Sequence, residues 1–480
     1  MNLRPVLYAI GVVLSVLSVS MVLPMLVDVY TGHSSWRTFL QCIIVTAFFG
    51  GSLVLANSGR NFKINLKQTF LLMTLGLLFV AVFGALPFYL SDMNMGFTDS
   101  LFESMSGITT TGSTVIIGLD TAPPGILLWR AMLQWLGGIA LILTAIMVMP
   151  YLNIGGMQLF RSETSDSEKA APRMAQLARS IALIYAGLTA LCAACYIFSG
   201  MKIFDSVVHA MSTISTGGFS TFDSSFMHYV DPWAEIVAIV FMLLGALPFV
   251  LYLKALRGSI SSLFDDPQVR WFLSIVALST MAIMAYMMVA EGWSPPHALR
   301  VASFGTVSFV TGTGFINSDY ESYGAFVVGV LFFIMAIGGC AGSTTCGIKI
   351  FRFQVLYEIC NIQVKKMLHP NGVFIPHYNG YPMPKEVPIS VLGFFFLYAL
   401  CFIAIAIALS YVGLDFVTAL SGALTSLSNA GAGFGPVIGS GGSFEPLPHE
   451  AKWILTAAML LGRLEIFTVL VLFTPRFWKI

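Results

Sequence analysis

The polarity of the chain changes on a long period. Apolar runs lie near residues 5–29, 37–57, 68–91, 126–150, 178–198, 233–255, 270–290, 323–345, 387–411 and 451–475, with short polar connections between them. A helix of about 20 apolar residues crosses the hydrocarbon of a bilayer, so the pattern predicts about ten spans. Between the third and fourth runs, the fifth and sixth, the seventh and eighth, and the ninth and tenth lies a shorter, half-apolar stretch rich in Ser, Thr and Gly. A unit of span, stretch and span therefore recurs four times after two leading spans. The division this predicts is 1–66 for the leading helices and 67–160, 161–258, 259–368 and 369–480 for the four repeats.

Composition strengthens this picture. Of 480 residues, 57% are hydrophobic and 10% charged, against roughly 25% charged in a soluble domain, which predicts an all-α polytopic membrane protein. A net charge of +1 gives no basic surface for nucleic acid. The first apolar run is too long for a signal-peptide core and ends at no small-residue cleavage site, so it is expected to be retained. Neither G-x-x-x-x-G-K-[ST] nor G-x-G-x-x-G occurs, so no nucleotide is expected to bind this chain itself. Cys192 and Cys195 form a C-x-x-C inside an apolar run and read as packing rather than redox chemistry.

Lys and Arg collect on cytoplasmic loops. With the amino terminus inside, Arg4, Arg60, Lys63, Lys67, Arg161, Lys169, Arg173, Arg179, Lys254, Arg257, Arg270, Arg352, Lys365, Lys366, Lys385, Arg476 and Lys479 share one side, against Arg37, Arg130, Lys202, Arg300 and Lys452 on the other. Both termini are then cytoplasmic and all four polar stretches face outward. Acidic residues accompany them, among them Glu103, Asp205, Asp223 and Glu321, and an outer vestibule of that sign concentrates cations.

Aligned without gaps, the stretches share one frame: a hydroxyl, any residue, an aliphatic, a hydroxyl, two small or polar residues, then Gly. Its four ends are Thr109-Thr110-Thr111-Gly112, Ser215-Thr216-Gly217-Gly218, Thr311-Gly312-Thr313-Gly314 and Ser428-Asn429-Ala430-Gly431. Each begins with about ten residues able to form a short helix and closes with residues that cannot pack a core. Irregular backbone at membrane depth is tolerated only where it lines a cavity or is buried in protein. Gly permits conformations that turn carbonyls towards a common axis, and a ring of carbonyls replaces the hydration shell of an ion. Short helices aimed inward add the partial negative charge of their C-terminal ends. Taken singly, each stretch also reads as a site of close helix packing; four in one frame point to a cation pore.

The T-T-T-G at Thr109, S-T-G-G-F at Ser215, T-G-T-G-F at Thr311 and S-N-A-G at Ser428, together with the four repeats and two extra leading spans, resemble the Trk/Ktr/HKT superfamily of potassium transporters, and within it the bacterial TrkH-type subunit. The resemblance implies potassium uptake across the bacterial inner membrane, a homodimer with one pore per protomer, and a cytosolic nucleotide-binding regulatory subunit sensing NAD or ATP/ADP. It maps the filter glycines onto Gly112, Gly218, Gly314 and Gly431, with Gly217 an adjacent alternative to Gly218. Potassium is then expected at the carbonyls of Thr110, Thr111, Thr216, Gly217, Gly312, Thr313, Asn429 and Ala430. The fourth loop departs most from T-x-G, since Asn429 replaces Thr, and its oxygens are expected to contribute less regularly.

Two features below the filter complete the reading. The eighth run ends in Gly338, Gly339, Gly342, Ser343, Thr344, Thr345 and Gly347, too many glycines to propagate a helix, which predicts a flexible segment or a C-capped cytoplasmic turn. Arg463 lies twelve residues into the last run, roughly 18 Å along a helix, where an ionisable residue is functional by default or pairs with an acid such as Glu465. The resemblance, through Gly462-Arg463-Leu464-Glu465, makes the first an intramembrane gate loop and the second a pore-facing barrier. Lys349 and Arg352 read as cytoplasmic topology signals. The competing reading is an alternating-access symporter coupled to sodium or protons, since broken helices also build those folds. In this superfamily a Ser in the first loop accompanies sodium preference, so Gly112→Ser is expected to raise sodium over potassium uptake in a potassium-uptake-deficient host, and an unchanged ratio would refute the assignment.

Overall fold

The computed structural model describes residues 2–59, 65–148, 156, 159, 167–229 and 231–479; Arg60, Lys63 and Arg161 lie outside them. Apart from a two-residue hairpin pairing His377–Tyr378 with Tyr381–Pro382, the described secondary structure is helical. Seven helices are long and apolar enough to cross a membrane, and two sharply bent pairs bring the described candidates to nine. The eighth run stops short: its helix covers only Ala325–Met335, and the chain resumes as a helix at Ile350–Leu368.

The leading span is the pair Arg4–Ser20 and Val22–Thr31, interrupted just before Pro24, which removes a helical donor. It crosses the second span, Trp36–Asn57, where Gly11 and Gly50 face each other. A Cβ on Gly50 would lie 2.9 Å from the Ser15 amide and 3.0 Å from the Gly11 carbonyl. Small residues at such crossings let backbones approach. At its far end the buried Asp28 accepts from the Gly125 amide at 2.7 Å, seating the leading pair on the start of the helix Pro124–Met147.

Each repeat then folds as predicted into outer helix, short pore helix, return loop and inner helix. The pore helices are Phe97–Ile108, Ile203–Ile214, Pro295–Thr311 and Phe416–Ser428. Two of the inner helices break. Pro232–Gly245 and Phe249–Leu256 meet at 93° around Pro248, and His449–Arg463 turns by 105° into Phe467–Phe473, with Glu465 at φ 59 in the corner. The apolar pattern ran through both breaks because their flanks are hydrophobic on either side.

Gly50→Leu is expected to destabilise the leading pair by about 1–3 kcal/mol, the usual overpacking range, and to lower the melting temperature in detergent. An unchanged melt would mean that the two helices do not depend on that contact.

Candidate functional site

Each pore helix ends in the same hydrogen-bonded cap. The amide of Thr111 donates to the Ser106 carbonyl at 2.8 Å, Gly217 to Ser212 at 2.8 Å, Thr313 to Ser308 at 2.9 Å and Ala430 to Thr425 at 2.9 Å. The residue before each donor is left-handed: Thr110 at φ 52, Thr216 at 51, Gly312 at 69 and Asn429 at 53. That is the Schellman geometry, in which the residue after the helix turns left-handed and the next amide reaches back over six residues. Asn tolerates this region well, so the fourth loop, expected to be irregular, follows the backbone path of the others. What differs is its Ala430 carbonyl, which is hydrogen-bonded, and its Asn429 side chain, whose Nδ2 donates to Thr111 Oγ1 at 2.9 Å and to the Met459 carbonyl at 3.0 Å.

Two residues after each left-handed residue, Gly112, Gly218, Gly314 and Gly431 take φ of 91, 80, 78 and 78, whereas Gly217 is not among the positive-φ glycines. The glycine equivalent to the other three is therefore Gly218. A Cβ on Gly112 would overlap the Gly217 carbonyl oxygen, one on Gly218 that of Thr313, one on Gly314 that of Ala430, and one on Gly431 that of Thr111. The four loops thus close into a ring in chain order, each glycine pressed on its neighbour's backbone. A side chain at any of them fails twice, by conformation and by space.

The carbonyls of this ring are unevenly bonded. Gly217 O accepts from Gln134 Nε2 at 2.5 Å and Ala430 O from the Ala432 amide at 2.9 Å. Those of Thr110, Thr111, Thr216, Gly312, Thr313 and Asn429 accept no hydrogen bond among the described residues, although all six residues are buried. Buried carbonyls are nearly always paired, so six unpaired ones around one ring suit a cation. No cluster of acidic, His or Cys side chains able to hold a metal exists among the described residues. Above the ring, all four glycines open onto a vestibule of about 230 Å³.

The acidic residues expected in that vestibule mostly serve as scaffolding. Glu103 is fully buried, pairs with Arg130 at 2.7 Å and accepts from the Val115 amide at 2.9 Å. Arg130 donates onward to the Ser220 carbonyl at 2.9 Å and lies 4.0 Å over Phe219, tying the first return loop to the second. Asp205 accepts from Thr221 at 2.8 Å, and Glu321 from the Gly435 amide at 2.6 Å. Asp223 does line the vestibule, holding the amides of Gly118 and Leu119.

Below the ring lies the segment between Met335 and Ile350. It is not loosely held. Pro248 ends the helix Pro232–Gly245, and the segment takes up the carbonyls this frees: Thr344 N donates to Gly245 O at 3.2 Å and Cys340 N to Ala246 O at 3.1 Å, while Phe249 N donates to Gly342 O at 3.0 Å. Gly338 N donates to Ile348 O at 2.8 Å, Gly339 N to Thr345 Oγ1 at 3.0 Å, and Ser343 shares a hydroxyl bond with Thr345 at 2.8 Å. Gly342 and Gly347 supply the left-handed turns, at φ 76 and 71. Thr344 also meets Thr216 of the ring, hydroxyl to hydroxyl, at 3.2 Å.

Arg463 comes from the last inner helix to the same place, 4% exposed. Its Nη1 donates to Thr110 Oγ1 at 2.7 Å and to Cys346 Sγ at 2.6 Å, and Nη2 to the Gly137 carbonyl at 2.7 Å. Glu465 is not its partner; it pairs with the buried Arg352. Lys349 is buried as well, donating to Thr345. Both Lys349 and Arg352, read from sequence as cytoplasmic signals, are thus part of a basic cluster under the ring, because the segment folds back into the protein. Lys349, Arg463 and Glu465 line a cavity of about 20 Å³, about one water's worth of room. Gln134 and Cys346 were missed; Glu103 and Arg130 were placed on the outer side, but their pairing was not foreseen.

Truncating one partner of a buried ion pair costs about 3–5 kcal/mol, so Arg130→Ala is expected to lose most folded protein, with the double variant carrying Glu103→Leu recovering part of it in size-exclusion yield. Equal yields for the single and double variants would remove the pair from the scaffold.

The TrkH family, described as cation transport protein, matches residues 35–480. The Trk system potassium uptake protein TrkI of Halomonas elongata is 41% identical over 99% of this chain and 97% of its own length. The Trk system potassium uptake protein TrkH of Salmonella typhimurium is 36% identical over all of both chains. The crystal structure of the potassium transporter TrkH from Vibrio parahaemolyticus superposes with a TM-score of 0.93 at 34% identity, covering all of both chains. With four pore-loop repeats closing one ring, this multi-pass membrane chain belongs to the TrkH family of cation transport proteins.

Proposed function

We propose that the chain takes up potassium across the bacterial inner membrane, through a filter formed by its four return loops. The observation that carries this reading is the closed ring of left-handed glycines with buried, unbonded carbonyls beside them. Such carbonyls offer a dehydrating cation the oxygens that it leaves behind in water. The pore helices add their negative ends at the same point. Glycine stands at all four ring positions, and the names of the relatives carry potassium uptake. The four repeats run in one direction about one ring, which favours a gated pore over two inverted halves rocking about a site.

The segment Gly338 to Gly347 and Arg463 form the gate. They occupy the inner side of the ring, bond its left-handed residues Thr216 and Thr110, and leave room for about one water. Arg463 and Lys349 bring positive charge with no carboxylate of their own among the described ion pairs. Opening requires the segment to leave the carbonyls of Gly245 and Ala246, and the freed helix corner at Pro248 is where that strain is absorbed. In the assembly we infer, both termini lie in the cytoplasm, two copies form a homodimer, and a cytosolic Trk-type subunit binding NAD or ATP/ADP moves the gate from the inner side.

A fixed positive charge about 6 Å from a permeating cation raises its energy by about 3 kcal/mol at an effective dielectric constant of about 20. Arg463→Ala is therefore expected to raise rubidium flux into proteoliposomes by roughly tenfold or more. Flux equal to that of the unaltered protein would rule out Arg463 as the barrier.

A further inference from the structure

A second cavity, of about 490 Å³, opens sideways between the leading helix Arg4–Ser20, the third span Leu66–Gly84 and the inner helix Pro124–Met147. Its walls are nearly all aliphatic, including Val13, Val16, Leu72 and Leu77, and Val16 is 58% exposed on the membrane-facing side. From Thr69 to Val80 the cavity extends roughly 16 Å at 1.5 Å per residue. Its inner end is formed by Gly137, Leu141 and Arg463. Leu141 and Arg463 also line the small cavity under the ring, so the two cavities share a wall at those side chains.

Among the described residues Arg463 is the one charged residue on the wall. Its bonds to Thr110, Cys346 and Gly137 account for three of its five N–H groups. No carboxylate of the described residues lines the cavity, and Lys349 lines the adjoining small cavity with the same sign of charge. A volume of this size matches the range of roughly 300–1,000 Å³ typical of small-molecule sites.

We propose that this groove binds a single-chain anionic amphiphile of the fatty-acid class, delivered from the bilayer. The tail lies along Val13, Val16, Leu72 and Leu77, and the carboxylate takes the free N–H groups of Arg463. A cationic amphiphile is repelled at that end, and a neutral one gains only the apolar contact. Bound carboxylate neutralises the charge that bars the ring, so the groove gives membrane composition a route to the gate.

The test uses spin-labelled stearic acid and its methyl ester with the full-length protein in phosphatidylcholine nanodiscs at alkaline pH, read by the immobilised fraction in the electron paramagnetic resonance spectrum. The acid is expected to bind about tenfold more tightly than the ester, the gain of one charge-assisted hydrogen bond. Gly76, whose Cβ position is open, faces the groove, and Gly76→Trp is expected to abolish binding of both. Arg463→Gln is expected to reduce the acid to the ester's affinity, with Arg463→Lys restoring most of it. Equal affinity of acid and ester for the unaltered protein overturns the proposal, as does binding that survives Gly76→Trp. Neither readout involves ion flux, so the outcome is independent of the transport reading.

Discussion

In hydrocarbon a backbone amide or carbonyl has no water to turn to, and each unpaired group costs several kcal/mol. This chain breaks its helices at membrane depth in several places, and each break is answered by a specific partner. The carbonyls released at Pro248 are taken up by the amides of Cys340 and Thr344. The ends of the four pore helices are closed by amides reaching back from Thr111, Gly217, Thr313 and Ala430. The carbonyls of Thr110, Thr111, Thr216, Gly312, Thr313 and Asn429 accept no hydrogen bond among the described residues. They are where the protein leaves backbone oxygen for something else to use.

The ring explains why glycine is required at four points, and why its neighbours are freer. Left-handed backbone is needed twice per loop, but only the second position abuts a neighbouring carbonyl. The first position therefore carries Thr, Thr, Gly and Asn, and the three side chains present are put to use. Thr110 receives Arg463, Thr216 meets Thr344, and Asn429 bonds Thr111. The inner obstruction is thus fastened to the same residues that shape the filter. Under the proposed function, a movement of that segment disturbs Thr110 and Thr216 of the ring.

Much of this was legible in the sequence because the repeat is local. Thr109 to Gly112 and its three counterparts each encode their own turn, and hydropathy encodes the spans around them. The gapless frame favoured Gly218 over Gly217, and the positive φ of Gly218 and the neighbouring loop's carbonyl agree with it. Lys349 and Arg352 were misplaced because a positive residue after an apolar run normally marks the cytoplasm, and nothing local reveals that the segment turns back inward. Arg130 and Glu103 are 27 residues apart, so their pairing rests on tertiary packing alone. The side groove is likewise a property of three helices distant in sequence.

In the proposed function a dehydrated cation sits among the carbonyls of the four loops. Rubidium scatters anomalously, so diffraction from crystals grown in rubidium chloride locates the ion directly. Anomalous peaks are expected on the pore axis among the carbonyls of Thr110, Thr111, Thr216, Gly217, Gly312, Thr313, Asn429 and Ala430. Rubidium found only in the vestibule or at acidic side chains, with none among those carbonyls, would contradict it.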